Sequence, residues 1–79
     1  MIRSYLDSAL RRASYTQLAD GSYSAQVRGL RGVIATGRTI EACREDLESV
    51  IEDWILVRVA RGLSIPALDG VRIQVTRAS

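Results

Sequence analysis

The longest unbroken periodicity in the chain runs between Gly37 and Gly62, and it leaves every other segment little choice of partner. Ile40, Cys43, Leu47, Val50, Ile51, Trp54 and Ile55 recur at steps of three and four, which places them on one helical face. Thr39 can accept a hydrogen bond from a first-turn N–H, and Glu41 sets negative charge at the positive end of the helix dipole. Arg58 and Arg61 stand near the negative end, Gly62 suits the C′ position, and Pro66 lies beyond. A helix over 39–61 of about 20 residues is about 30 Å long. No other segment can bury as much apolar surface, so the remaining elements are expected to fold against it.

Those elements are short. Ile2, Tyr5, Leu6, Ala9, Leu10 and Ala13 predict an amphipathic helix over 2–13, with Arg3, Asp7 and Arg11 on its other side. Residues 14–37 predict a three-strand meander. Ser14–Ala19 turns at Asp20-Gly21 into Tyr23–Val27, whose alternation sends Tyr23, Ala25 and Val27 to one face and Ser24 and Gln26 to the other. A turn with two glycines, Arg28–Gly32, leads to Val33–Thr36 and a bend at Gly37. After the long helix, Asp69-Gly70 precedes a final strand over 71–75, with Val71, Ile73 and Val75 inward. The expected fold is α+β, a two-layer sandwich in the order α-β-β-β-α-β. The long helix would lie across a four-stranded, mostly antiparallel sheet, and the last strand would run parallel beside the first.

With 79 residues this is expected to be a single domain, residues 1–79, that buries only about 60% of its unfolded surface. Oligomerisation or a tight partner would supplement so small a core. One cysteine excludes an internal disulfide, and Cys43 falls on the apolar helix face as a small core residue. Neither a signal peptide nor an apolar run near the ~18 residues of a membrane span is present, which predicts a cytoplasmic protein with no membrane contact. The net charge of +2 does not by itself announce a nucleic-acid binder.

Two charged constellations stand out. Glu41, Glu45, Glu48 and Glu52 follow one another at steps of four, three and four, flanked by Asp46 and Asp53, with Arg44 and Arg58 to relieve them. Such a stripe is either the solvated back of a helix or a docking surface for a basic partner. Arg28, Arg31 and Arg38 bracket the third strand, and Arg11 and Arg12 end the first helix; if they converge they can grip phosphates. Aromatic platforms for bases are scarce: Tyr5, Tyr15, Tyr23 and Trp54, the last expected in the core.

Catalysis is not expected. The chain has no histidine to activate a serine or to bind a metal. Asp20 and Asp69 sit in turns, and every other carboxylate is on a helix, so no metal-binding cluster gathers on the strands. Gly29-Leu30-Arg31-Gly32 is too short for a phosphate loop. No cofactor and no metal are implied.

The run Asp20-Gly21-Ser22-Tyr23-Ser24-Ala25-Gln26-Val27, then Leu30-Arg31-Gly32-Val33, then Thr36-Gly37-Arg38-Thr39-Ile40-Glu41-Ala42, resembles the HicB antitoxin family. Leu47, Trp54 and Ile65-Pro66 extend the likeness, which covers about residues 15–75. The resemblance implies a partial RNase H-like domain that binds and neutralises a HicA-type toxin, a small basic ribonuclease that cleaves mRNA. It is of the short form, with no room after Val75 for a DNA-binding domain, so operator binding by this chain is not expected. The acidic stripe Glu41, Glu45, Glu48 and Glu52 would face the toxin. A homodimer or higher homo-oligomer, formed through edge strands or the first helix, is also expected. The alternative is a stand-alone HicB-like adaptor or weak nucleic-acid-binding module using Arg28, Arg31 and Arg38.

Overall fold

The computed structural model describes residues 2–68, 70 and 71. Their order is α1 (Ile2–Arg11), β1 (Ala13–Gln17), β2 (Tyr23–Val27), β3 (Ile34–Gly37) and α2 (Ile40–Ala60), an α+β arrangement with two helices and one antiparallel sheet ordered β1-β2-β3. The expected fourth strand over 71–75 lies, apart from Val71, outside the described residues. What precedes it is a tight reversal in which Leu68 and Val71 exchange backbone hydrogen bonds of 3.0 and 2.7 Å.

α2 forms where the cap and the periodicity place it. Thr39, in an extended conformation, accepts from the Ala42 N–H at 3.0 Å. At the other end the Leu63 N–H donates to Arg58 O at 2.8 Å and the Gly62 N–H to Val59 O at 3.1 Å, a Schellman closure with Gly62 left-handed at φ 68°. Cys43, Leu47, Ile51 and Ile55 are fully buried. Val50 and Trp54 are only half-buried, and Ile40 is 48% exposed, so the buried stripe is narrower than the sequence predicts. Ile40 opens the first turn, ahead of Cys43, where the buried line begins.

The core is one cluster. Tyr5, Leu6, Ala9 and Leu10 of α1 join Ala25 and Val27 of β2, Ala35 of β3 and the buried face of α2, while Leu30 and Val33 fold inward from the β2–β3 turn. Both helices therefore cover the same side of the sheet. Ser14, Thr16, Gln26 and Thr36 point the other way and are exposed, and Ser24 is half-buried.

Three local readings change. Ala13 opens β1 instead of ending α1, because the helix ends two residues earlier, at Arg11, and closes with the Arg12 N–H on Ser8 O and Ala9 O. The first hairpin turns through the three residues Ala19, Asp20 and Gly21 rather than two: Leu18 N–H donates to Ser22 O at 2.7 Å, and the left-handed Gly21 closes the loop onto Leu18 O. The bend expected at Gly37 falls on Arg38 and Thr39, and Gly37 itself ends β3. A Cβ there would lie 2.7 Å from Cys43 Cα and 2.8 Å from the Ala42 carbonyl carbon, and closer still to the Cys43 nitrogen, so glycine lets the first turn of α2 rest on the end of β3.

Candidate functional site

The acidic stripe lies on the flank of α2. Glu41, Glu45 and Glu52 are exposed there, as are Asp46 and Asp53. Glu48 is not free in the same way: Arg3 of α1 donates to its Oε1 at 2.7 Å and pairs with Asp7 at 3.2 Å. The hydrogen bond to Glu48, then the charges of Asp7 and Glu48, hold the Arg3 guanidinium above its ordinary pKa. The pair locates α1 against α2, a position the sequence leaves open. Arg3 is largely in water and Glu48 is half-buried, so the pair orients more than it stabilises.

Arg58 does not relieve the stripe as expected. Its Nε–H donates to Ser64 O at 2.7 Å and its guanidinium sits 4.9 Å above the Trp54 ring. Trp54 is thus half-buried, packed against the core cluster and carrying a cation on its ring. Tyr5 completes this end of the molecule by donating its hydroxyl to Pro66 O. Burial raises the Tyr5 pKa, with Arg58 and Arg12 opposing, so the hydroxyl stays a donor.

At the opposite end of α2 polar contacts reach the sheet. The Cys43 thiol lies 3.8 Å from both Tyr23 O and Ala35 O, and burial, followed by the charge of Asp46, pushes its pKa up. This is a protonated core thiol, and the reverse of what a nucleophile requires. Asp46 accepts from the Thr36 N–H at 3.1 Å. That carboxylate uses a donor on β3, an outer strand of the sheet, and so blunts pairing along this edge.

The three arginines do not converge. Arg28 and Arg31 lie in the β2–β3 turn, while Arg38 follows β3 at the other end of the sheet, since Tyr23 pairs with Gly37 and Gln26 with Ile34. The register Ala13↔Val27 instead brings Arg12 opposite Arg28, and both line a cleft with Ser14. Asp20 forms the expected turn: Ser22 Oγ–H and N–H both donate to its Oδ1, at 2.6 and 3.0 Å, and these bonds lower its pKa. Among the described residues no three His, Cys, Asp or Glu side chains gather as a metal site, and no helix is long and apolar enough to cross a membrane.

The family follows from comparison with known proteins. A model of the UPF0150-like family matches residues 4–66. The chain belongs to the UPF0150-like family. A solved structure, TTHA0281 from Thermus thermophilus, is similar over 96% of this chain and 95% of that one, at 36% identity and a TM-score of 0.88. The α+β architecture is thus shared with an experimental structure. No curated protein matches the chain. In this UPF0150-like protein the feature that sequence reasoning missed is the outer sheet face, although the alternation Ser14/Thr16 and Ser24/Gln26 carries its signal.

Proposed function

We propose that this UPF0150-like protein is a non-catalytic, HicB-like antitoxin that binds a small basic HicA-type ribonuclease and masks it. The observation that carries the reading is the exposed carboxylate set Glu41, Glu45 and Glu52 on one flank of α2. A ribonuclease must present cations to RNA, and complementary carboxylates raise both association rate and specificity. The hairpin-to-helix pattern that resembles HicB lies within the residues matched to the UPF0150-like family, which supports the same reading. Glu48 takes a lesser part, because Arg3 already occupies it.

On this reading the fold is a partial RNase H-like domain in which Val71–Val75 adds a fourth strand parallel to β1. The reversal at Leu68–Val71 supports it, as does the hydrogen bond from Thr36 to Asp46, which leaves β1 the more open edge. A homodimer belongs to the reading too. With one edge blunted and the other taken by the last strand, its contact falls to α1, the other element expected to form it. Sedimentation of a clean monomer at micromolar concentration removes that part.

The test is co-purification of the tagged chain from its native cell. A small basic partner at equal stoichiometry, whose RNA cleavage is suppressed in the complex, is the expected result. Exchange of Glu41, Glu45 and Glu52 for lysine should then slow association about tenfold or more at low salt, with the difference shrinking as salt rises. Unchanged association at low salt would show the stripe to be merely solvated.

A further inference from the structure

We propose that the outer face of the sheet binds the ribose–phosphate backbone of single-stranded RNA. This stands apart from the antitoxin reading, which uses the helix layer on the other side. Ser14 and Thr16 of β1, Ser24 and Gln26 of β2 and Ile34 and Thr36 of β3 form its floor, and none of these three strands carries a carboxylate. Arg28 and Arg38, both exposed, follow β2 and β3 and so stand at opposite ends of this face. At about 3.4 Å per residue the length of β2 separates them by about 17 Å, too far to share one phosphate but suited to two along a strand.

The chemistry of the floor chooses the polymer. Hydroxyl and carboxamide groups both donate and accept, as the ribose 2′-hydroxyl does, and DNA has no counterpart to it. Among the described residues no aromatic side chain lies on this face, so contact is with the backbone and tolerant of sequence. Three strands at about 4.8 Å spacing give a strip about 10 Å wide, which fits one nucleic-acid strand. Between β1 and β2 the cleft lined by Ser14, Thr16, Ser24, Gln26, Val27 and Arg28 measures about 230 Å³. Apart from Asp46, which reaches the β3 edge, the carboxylates of α2 belong to the helix layer and repel a polyanion from it. Asp20 lines the same cleft as Arg38, so the Arg28 end is the stronger anchor.

The test is fluorescence anisotropy of labelled short oligo(U) and oligo(dT) with the full chain. Oligo(U) should bind more tightly than oligo(dT). With two phosphate contacts, each contributing a slope of about −0.7, affinity should fall about sevenfold between 50 and 200 mM salt. Arg28→Gln should weaken binding more than Arg38→Gln and reduce the salt slope by about 0.7. Thr16→Ala with Ser24→Ala should abolish the preference for RNA while leaving the slope intact, with circular dichroism verifying each fold. Glu45→Lys should not weaken binding. No binding at 50 mM salt, equal affinity for the two oligonucleotides, or competition by an acidic peptide as effective as RNA would overturn the proposal.

Discussion

The two ends of α2 are held in different ways. Its first turns meet the sheet through fixed geometry: the glycine at 37, the Cys43 thiol between two strand carbonyls, and the Asp46 carboxylate on a strand N–H. Its last turns are held by burial of Ile51 and Ile55 on one face and by a loop fastened with Arg58 and Tyr5, while Leu56, Val57 and Val59 remain 60%, 49% and 42% exposed. The first end therefore tolerates no added atom, whereas the second tolerates loss of surface side chains but not of its buried ones.

The largest effects test the buried line that joins the two ends. Leu47→Ala and Ile51→Ala each remove a fully buried side chain and should cost about 2–5 kcal/mol, whereas Leu56→Ala should stay within about 0.5 kcal/mol. Urea unfolding of the three variants measures the contrast, and a costly Leu56→Ala would show that this surface is covered in solution. Gly37→Ala comes next, at about 1–3 kcal/mol, because backbone and not a flexible side chain stands in the way. A thermal midpoint within about 4 °C of wild type would mean that the helix start slides freely, erasing the difference between the ends.

The buried thiol predicts a pH dependence. Its folded pKa lies above the unfolded value, so its contribution is complete at neutral pH. Above about pH 8.5 the unfolded chain loses this proton while the folded chain keeps it, and stability should decline with a slope of at most about 1.4 kcal/mol per pH unit. Cys43→Ala should be less stable at pH 7 yet lack this component of the alkaline decline. An identical pH profile in the two proteins would remove the thiol from the account.

What the sequence made legible was local. The cap at Thr39, the closure at Gly62, the inward faces of β2 and α2, and the α+β class all follow from periods and turn chemistry within a few residues. What it hid was distant. Arg3 and Glu48 are 45 positions apart, and nothing in either local pattern pairs them. Arg28, Arg31 and Arg38 look adjacent along the chain, but an antiparallel strand carries Arg38 to the opposite end. Ser8, on a helix whose polar side was read from Arg3, Asp7 and Arg11, is fully buried and accepts from Arg11 at 3.1 Å. The acidic stripe was visible as a pattern, yet only packing shows that one of its four members is already engaged.

The smallest effect separates two tyrosines, one at each region. Tyr5 donates its hydroxyl to Pro66 O and fastens the loop beyond α2. Tyr15, half-buried on the inward face of β1 opposite Ala25, has a buried hydroxyl with no partner among the described residues. Removing a satisfied donor also strands a carbonyl, so Tyr5→Phe should cost about 0.5–1.5 kcal/mol. Removing an orphan relieves a desolvated group, so Tyr15→Phe should be neutral or slightly stabilising. Equilibrium unfolding of the two variants gives the sign directly. A loss at Tyr15 equal to that at Tyr5 would mean that the hydroxyl is satisfied in the whole protein. The final strand expected over 71–75, beside β1, would then be the place to look for its acceptor. Deleting residues 72–79 from the Tyr15→Phe background should in that case cost less than deleting them from wild type, because the variant has no hydroxyl left to strand.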